Sequence, residues 1–582
     1  MLNDRMKVKA TEVGDPTAAS SQTAEEFLDT IGGRYVSTQV NVRLLRAWLH
    51  QCESEHGKAC MPSSRLPMEK TREAAFQPTF VVDVIQSCLV DTPSQCRYVA
   101  LSYVWGKASV FRHLLENTQD LRRTSSLQSL PIPATIRDAI TLVRAIGERY
   151  LWVDSLCIVQ NDLKMQQAEI MRMGSIYSRA LFTIIAAAGD HPNSGLPGVE
   201  QGSREQVQKI LKLADCELLT VIDTPSGIED TIWAERGWTF QERVLSNRVL
   251  VFSESQAYWS CRAVSHSEER SLEEVRDIRR YCFSFPQQPA VGWLSWESLQ
   301  PLEYCSIYDD LLYGYRQRRL THQTDILNAF NGVSEILGAF QDDAFHWGLS
   351  ESIFSYAVTW YFLGPTSRNH VEVPILDTNG SKQMVPIPSW SWAAWSGDNP
   401  SRPPSLCPGY NDDVRPAIHF SIVDEKHQLV RIKDQPMQGH PGTWVPASWK
   451  DEQHHQPTQY SVSRIGQLHF WTSLANLRVV REWHGLTSQE NVRVMRQWRA
   501  LGAGEDVPYV LFPPPDFQPN PNSIREIVHQ DFIVVAARGA GLLILLAVEW
   551  RDGVAYRVGI TDVHEATWLR VENREWRLIT LG

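Results

Sequence analysis

Apolar runs of strand length alternate with helical patterns through the second hundred residues of the chain. Residues 98–106 read YVALSYVWG and residues 150–160 read YLWVDSLCIVQ, and both are apolar enough for buried strands. A helical pattern over 163–179 leads into a further apolar run at 182–187. This alternation is typical of βαβ units. We therefore predict an α/β fold in which residues 98–188 share one parallel-rich sheet.

Several polar or aromatic residues lie where these apolar runs end. The first run ends in four of them: Ser102, Tyr103, Trp105 and Gly106. Asp154 interrupts the second run, and Glu169 lies on the following helix beside its apolar face. Because ligand sites in parallel sheets form at the carboxyl ends of strands, we expect these residues to converge near one edge of the sheet.

Asp154 and Glu169 are the candidate catalytic residues, because a carboxylate can transfer protons or stabilise positive charge. A buried acid must also be paired, hydrogen-bonded or protonated, so we expect Asp154 to be largely buried and hydrogen-bonded. The candidates for binding a cofactor or substrate are Ser102, Tyr103, Trp105 and Gly106. Simpler interpretations remain open: Trp105 could pack in the core, Asp154 could cap the next turn, and Glu169 could be a solvated helix residue.

Three possible metal ligands lie at helical spacing near the N-terminus. The pattern before residue 60 is helical, and it places Cys52, His56 and Cys60 on one face. These side chains could provide three ligands of a zinc site, with Cys88 or Cys96 as a distant fourth. The chain contains no CxxC pair, which favours a half-buried helix with ordinary thiols. We predict that this face binds no metal.

The length of the chain, 582 residues, exceeds what a single hydrophobic core supports and indicates two or three domains. The stretch 264–280 is densely charged, helical patterns dominate from 304 to 362, and strand-like segments with Pro, Gly and Asn breaks follow residue 386. The predicted organisation is a disordered lead-in (1–30), an N-terminal helical segment (31–80), an α/β domain (81–261), a charged linker and helical connector (262–385), and a β-rich C-terminal region (386–582).

Composition and charge argue against several classes of partner. The net charge of −11 provides no general attraction to nucleic acid or to an anionic membrane. Residues 532–549 are apolar, but Arg538 and two glycines divide them, which favours a buried hairpin over a membrane span. The start lacks the apolar core of a signal peptide, and the ten cysteines form no dense framework. We therefore predict a cytoplasmic protein without nucleic-acid or membrane partners.

The sequence also lacks the motifs of several common enzymes. It contains no GxxxxGK[ST] phosphate loop, no HExxH zinc motif and no GxSxG nucleophile motif. We therefore predict that no bound cofactor is required.

Five blocks of the sequence carry a family resemblance. They are YVALSYVWG (98–106), IPATIRDAI (132–140), YLWVDSLCIVQND (150–162), MGSIYSRA (173–180) and WTFQERVLS (238–246). In this order they resemble the fungal heterokaryon-incompatibility (HET) domain, over roughly residues 81–261. The resemblance implies a role in fungal non-self recognition, in which the domain is an effector that triggers incompatibility and cell death. It also implies a partner, either an incompatibility protein or further copies of the chain in a homo-oligomer.

HET domains are in turn distantly similar to the TIR domains of Toll-type receptors, some of which cleave NAD with a glutamate on a helix beside the pocket. Glu169 matches the acid that the HET pattern carries eight residues before its IY tyrosine, here Tyr177. The resemblance therefore implies a TIR-like fold, with NAD as a possible substrate and Glu169 as the catalytic acid. A NAD glycohydrolase and an inactive interaction scaffold are the alternatives to an effector that acts by assembly.

Overall fold

The structure is a computed structural model. It describes residues 32–60, 77–106, 111–206, 208–212, 217–220, 222, 228–271, 301–341, 343–361, 366–376, 382–397, 414–434, 464–486, 493–501, 525–538 and 541–582. The predicted lead-in at 1–30 lies outside the described residues, as does most of the predicted charged linker. The chain divides into two compact units, Met1–Leu294 and Ser295–Gly582.

The first unit contains both helices and strands. Its described strands are β1 (Gly32–Gly33), β2 (Phe80–Asp83), β3 (Cys88–Asp91), β4 (Tyr98–Ser102), β5 (Tyr150–Trp152), β6 (Thr183–Ala186), β7 (Ile210–Lys212), β8 (Glu217–Leu219), β9 (Arg248–Phe252), β10 (Ala257–Cys261), β11 (Ser265–Ser267) and β12 (Arg270–Ser271). Its described α-helices are α1 (Val42–Glu55), α2 (Thr118–Leu121), α3 (Ser126–Ser129), α4 (Ala134–Ile146), α5 (Asp154–Cys157), α6 (Leu163–Met171), α7 (Met173–Arg179) and α8 (Gly237–Val244).

An eight-stranded mixed sheet organises this unit, in the order β11-β10-β9-β6-β4-β5-β2-β3. The four central strands are parallel, because β4 pairs in parallel with β5 and β6, and β6 pairs in parallel with β9. The outer strands β2 and β3 on one side, and β10 and β11 on the other, pair antiparallel. The predicted parallel arrangement of residues 98–188 is therefore confirmed, and the complete sheet is mixed.

Three of the four central strands are buried along their whole length. Every residue of β4, β6 and β9 is buried, including those whose side chains point to opposite faces of the sheet. Parallel strands covered on both faces read as continuous apolar runs rather than as an alternating pattern. This burial explains why the strands could be predicted from apolar runs in the sequence.

Two local predictions about the central stretch were wrong. The apolar run that starts at residue 150 was expected to be a strand interrupted by Asp154, but the strand ends at Trp152, and Asp154 begins helix α5. An acid is favoured in the first turn of a helix, where free backbone N–H groups point at it. The single helix predicted over 163–179 consists of α6 and α7, which meet at Arg172.

The segment before the sheet belongs to the first unit. Helix α1 confirms the predicted helical pattern as far as Glu55, whereas Cys60 lies in a separate 3₁₀ turn and not on the helix. Trp48 of α1 is fully buried and stacks on His266, with ring centroids 5.7 Å apart. Strand β1 pairs with β12. The first unit thus extends on both sides of the predicted domain at 81–261, because its early and late segments pair with each other.

A buried ion pair also links these segments. The side chains of Arg204 and Glu268 are 1% and 4% exposed, and Arg204 Nη1 lies 2.6 Å from Glu268 Oε2. Arg204 also donates to the carbonyl oxygen of Ser37 at 2.5 Å. Glu268 accepts further hydrogen bonds from the backbone N–H groups of Asn41, at 3.2 Å, and Ala257, at 2.7 Å. One carboxylate therefore connects the N-terminal segment, a loop and the sheet edge.

The second unit has helices followed by strands, and it confirms the predicted β-rich C-terminal region. Its described α-helices are α9 (Pro301–Arg316), α10 (Asn328–Gln341), α11 (Phe354–Ala357) and α12 (Glu565–Leu569). Its described strands are β13 (Phe345–His346), β14 (Leu349–Ser350), β15 (Thr366–Arg368), β16 (Glu372–Leu376), β17 (Lys382–Pro386), β18 (Trp395–Gly397), β19 (Val414–Pro416), β20 (Ser421–Val423), β21 (Leu429–Arg431), β22 (Leu468–Leu486), β23 (Arg493–Leu501), β24 (Arg525–Arg538), β25 (Leu542–Arg551), β26 (Val554–His564) and β27 (Glu575–Leu581).

The main sheet of the second unit has nine strands, including a hairpin of β24 and β25. This hairpin confirms the prediction for the apolar stretch 532–549, whose described residues include the buried Phe532 and Leu545. Among the described residues, no helix has both the length and the apolar character that a membrane span requires.

The ion pair between Arg204 and Glu268 provides a test of the first unit. We expect Glu268→Gln to lower its free energy of unfolding by about 3–5 kcal/mol, because the buried guanidinium loses its counter-charge. Asp120→Asn is the control, since the Asp120 side chain is 57% exposed and its ion pair with Arg123 should contribute about 0–1 kcal/mol. Urea unfolding followed by tryptophan fluorescence measures both. Equal unfolding midpoints for the two variants would contradict the prediction.

Candidate active site at the carboxyl edge of the sheet

A buried hydrogen-bonded chain of polar groups begins at the last residue of β4. Ser102 donates from Oγ to Oε2 of Glu242, which lies on α8. The indole of Trp233 donates from Nε1 to the same Ser102 Oγ at 2.7 Å. All three side chains are buried. Strand β4 thus ends in a serine that orients a buried acid.

Asp154 lies at the end of the neighbouring strand β5 and makes a second set of contacts. Trp105 donates from Nε1 to Asp154 Oδ2 at 2.8 Å, and the backbone N–H of Ser155 donates to Oδ1 at 2.6 Å. Asp154 is hydrogen-bonded as the sequence predicted, although it and Trp105 both remain partly exposed. We call five residues the carboxylate cluster: Ser102, Trp105, Asp154, Trp233 and Glu242.

Both acids of the carboxylate cluster have raised pKa values. Burial raises the pKa of Glu242 from its ordinary 4.5 to about 7, and the negative charge of Asp154 adds to the increase. Burial likewise raises the pKa of Asp154 from 3.8 to about 6. The hydrogen bonds to Ser102, Ser155 and Trp105 oppose these shifts, as does the positive charge of Arg236. The two carboxyl groups therefore titrate near neutral pH and influence each other.

Two tyrosines and an arginine complete the surroundings. Tyr103 donates to Ser155 Oγ at 2.9 Å, and Tyr177 donates to the carbonyl oxygen of Leu101 at 3.2 Å. Burial raises the pKa of both phenols well above the usual value, so they stay neutral. Arg236 donates from Nη1 to the carbonyl oxygen of Tyr103 at 3.0 Å. Tyr103 is therefore a buried residue that contacts Ser155 and Arg236, which are neighbours of the acids.

Gly106 ends the segment that carries Trp105. Its φ of +65° lies in the left-handed region, and a Cβ there would come within 3.3 Å of Pro192 Cδ. Glycine accepts this conformation without strain. The guanidinium of Arg112 lies 5.4 Å from the centre of the Trp105 ring. Gly106, a predicted binding residue, thus shapes the backbone turn directly after Trp105.

The structure does not bring Glu169 into the carboxylate cluster. Glu169 is 4% exposed, and its Oε1 accepts a 2.5 Å hydrogen bond from Thr79 Oγ1. Thr79 directly precedes β2, and β2 is separated from β4 by β5. Strands two positions apart are separated by about 10 Å. Glu169 therefore reaches the expected edge, but it forms a separate buried contact.

The expectation that Glu169 flanks the apolar face of its helix was wrong. Glu169 is the buried residue of α6, whereas Leu163 of the same helix is exposed. Burial raises the pKa of Glu169, against the effect of the Thr79 hydrogen bonds. The interpretation of Glu169 as a solvated residue is excluded by this environment.

Sequence reasoning missed Glu242, Trp233 and Arg236 as site residues. Glu242 lies in the block WTFQERVLS, which was recognised as a motif but assigned no role. Glu242 is 140 positions from Ser102, its hydrogen-bond partner. No local periodicity connects residues so far apart.

The carboxylate cluster can hold and release protons near neutral pH. Groups that titrate near the working pH are suited to general acid–base catalysis. Asp154 is the less buried residue of the two acids, and an ionised carboxylate there could stabilise a positive charge that develops in a reaction. Trp105, which is also partly exposed, offers an aromatic surface beside it.

Residues 98–242 match the model of a protein family described as Heterokaryon incompatibility protein (HET). The match starts at the first residue of β4 and ends at Glu242, so it includes every member of the carboxylate cluster. Searches of curated proteins and of solved structures returned no significant match. The protein therefore carries a HET domain in its first unit.

The pKa of Glu242 predicts how stability changes with pH. A raised pKa means that the folded protein binds the proton more tightly than the unfolded chain. The resulting stability is present below pH 4.5 and is lost as the pH rises through about 7. Glu242→Gln cannot ionise, so it should avoid a loss of about 1–3 kcal/mol that the wild type shows in this interval.

Urea unfolding of both proteins at a series of pH values measures the difference. Because Asp154 and Glu242 influence each other, the difference between the two curves reports the titration of Glu242 together with its coupling to Asp154. Asp120→Asn is again the control, and it should follow the wild-type pH dependence. Parallel curves for wild type and Glu242→Gln would show that Glu242 has an ordinary pKa.

Proposed function

We propose that this protein is a cytoplasmic effector of heterokaryon incompatibility, whose HET domain triggers cell death or signalling in fungal non-self recognition. The trigger is contact with an incompatibility partner or assembly with further copies of the chain. Support comes from the family match over residues 98–242, since heterokaryon incompatibility is the process that names the family. The charge of −11 agrees with a protein partner rather than nucleic acid.

The carboxylate cluster is the observation that carries this proposal. It is formed from residues at the beginning, in the middle and at the end of the matched stretch, and it lies at the edge of a parallel sheet where α/β folds place their functional groups. A sheet that served only as a scaffold would have no need for two acids with raised pKa values beside a partly exposed indole. The effector therefore acts through this edge.

A second candidate function is hydrolysis of NAD at the same edge, by a domain of TIR-like type. Cleavage of the nicotinamide–ribose bond passes through a state resembling an oxocarbenium ion, which a nearby carboxylate stabilises. Asp154 supports this candidate, because it is partly exposed and lies beside the Trp105 indole. Glu169 supports it less, because its carboxyl group is buried against Thr79. NAD is thus a substrate in this proposal, and no bound cofactor is needed.

Expression of the full chain from an inducible promoter in fungal cells tests both candidates. Cell viability and NAD content are followed together, since high expression favours assembly of like domains by mass action. If the protein hydrolyses NAD, Asp154→Asn should slow NAD loss by about 10²–10³-fold, because it removes the charge that stabilises the reacting state. Glu169→Gln should retain more activity, and the exposed variant Asp120→Asn should behave as wild type.

The outcomes separate the candidates. Cell death with unchanged NAD would reject hydrolysis and leave an effector that acts by assembly. Loss of NAD that is equal in wild type and in folded Asp154→Asn would reject Asp154 as the catalytic acid. Full viability in cells that accumulate folded wild-type protein would contradict the effector function and favour an inactive scaffold.

A further inference from the structure

We propose that the first unit binds one structural zinc ion through Cys52, His56, Cys60 and Cys261. One ligand atom from each residue lies within 4.8 Å of each of the others. The Sγ of Cys261 is 3.4 Å from Nδ1 of His56. This proposal is independent of the function proposed above, because it concerns residues outside the carboxylate cluster. The four residues are called the Cys3His cluster.

The spacing of the Cys3His cluster fits tetrahedral zinc. Zinc binds thiolate sulfur at about 2.3 Å and imidazole nitrogen at about 2.0 Å, so neighbouring ligand atoms in a tetrahedron lie about 3.5–3.8 Å apart. The distance of 3.4 Å from Cys261 Sγ to His56 Nδ1 is close to the lower end of this range. Cys52, Cys60 and Cys261 are free thiols in the structure. Small side-chain rotations are enough to complete the coordination.

Two local features bring the first three ligands together. Helix α1 ends at Glu55, and the backbone N–H of His56 donates to the carbonyl oxygen of Cys52 at 3.3 Å, which keeps both on the same turn. Gly57 then has a φ of +49°, in the left-handed region that glycine tolerates, and a single 3₁₀ turn follows to Cys60. The chain thus reverses after the helix instead of continuing it.

The fourth ligand comes from the sheet. Cys261 is the last residue of β10, next to one edge of the eight-stranded sheet. The sequence had suggested Cys88 or Cys96 as a distant fourth ligand, but Cys88 lies on β3, at the opposite edge. The prediction that no metal binds rested on the absence of a CxxC pair. Cys261 provides the fourth ligand from 201 positions beyond Cys60, a separation that no motif spacing predicts.

A buried arginine supplies an independent reason for metal binding. Arg248 is 2% exposed, and it donates from Nε to Cys52 Sγ at 3.0 Å and from Nη1 to the carbonyl oxygen of Leu181 at 3.0 Å. Within the described ranges, Arg248 forms no ion pair with a carboxylate. Zinc with three thiolates and a neutral histidine carries a net charge of −1. The bound ion would therefore give the buried guanidinium a counter-charge.

The environment indicates a structural rather than a catalytic ion. Cys52, Cys60 and Cys261 are all buried, and the four ligands fill the coordination shell, whereas catalytic zinc keeps an open position. The hydrogen bond from Arg248 to Cys52 is the kind of outer contact that orients a metal ligand. The ion would join the end of α1 to the end of β10 and stabilise the first unit.

The metal content of the purified full-length protein tests this proposal. We expect about one zinc ion per chain, by elemental analysis, in protein prepared with reducing agent. Cys52→Ser and Cys261→Ser should each lower this content at least about tenfold, because a Cys3His site then loses a thiolate. Cys88→Ser is the matched control, since Cys88 is equally buried and lies outside the Cys3His cluster. It should keep the full zinc content.

Cobalt substitution keeps the test decisive if a cysteine variant does not fold. Wild-type protein stripped of metal and titrated with Co²⁺ should develop the visible bands of tetrahedral cobalt and the ultraviolet bands of cobalt–thiolate bonds. Folded wild-type protein that contains no zinc and shows no such bands would overturn the proposal. The same is true of zinc content that survives unchanged in folded Cys261→Ser, or of a disulfide between two of the three cysteines in reduced preparations.

Discussion

A carboxyl group buried at the end of a parallel strand must be protonated, paired or hydrogen-bonded, and this constraint shapes the centre of the first unit. Asp154 is such a group, and the buried Glu242 of helix α8 lies near enough for the charges of the two acids to interact. Ser102 and two tryptophans supply the hydrogen bonds, and Arg236 supplies a positive charge. Strand β4 carries Ser102 at its end and is followed by Trp105, and its parallel neighbour β5 is followed by Asp154, so the pairing of these two strands brings the hydrogen-bonding groups to one edge. The strand order and the hydrogen bonding of the acids therefore depend on each other.

The parts of the molecule that follow from local pattern could be predicted from the sequence. Continuous apolar runs indicated the central strands, because a strand buried on both faces needs no polar positions. The contact between Trp105 and Asp154 followed from the convergence of strand ends. Both inferences used only the chain between residues 98 and 188.

The parts that depend on distant partners could not be predicted in this way. Glu242 and Cys261 acquire their surroundings from residues more than a hundred positions away, and periodicity carries no information about such partners. Glu169 was misplaced for a different reason. Helix α6 is short and ends at Met171, so its buried side is not marked by a stripe of apolar residues, and the acid itself is the buried residue. Burial of a charged side chain is the opposite of what composition leads one to expect.

The extent of the first unit has a consequence for how such proteins can be recombined. The recognisable stretch, 98–242, includes β4, β5 and β6 but stops before β9, which is the parallel neighbour of β6. It also omits β2, which covers β5 on the other side. A fragment cut at those limits and transferred to another protein would leave β5 and β6 without their neighbouring strands. It would also end at Glu242, which is buried in this protein. A transfer that preserves the fold must therefore include the flanking strands and helix α1. The folding unit is larger than the stretch that matches the family.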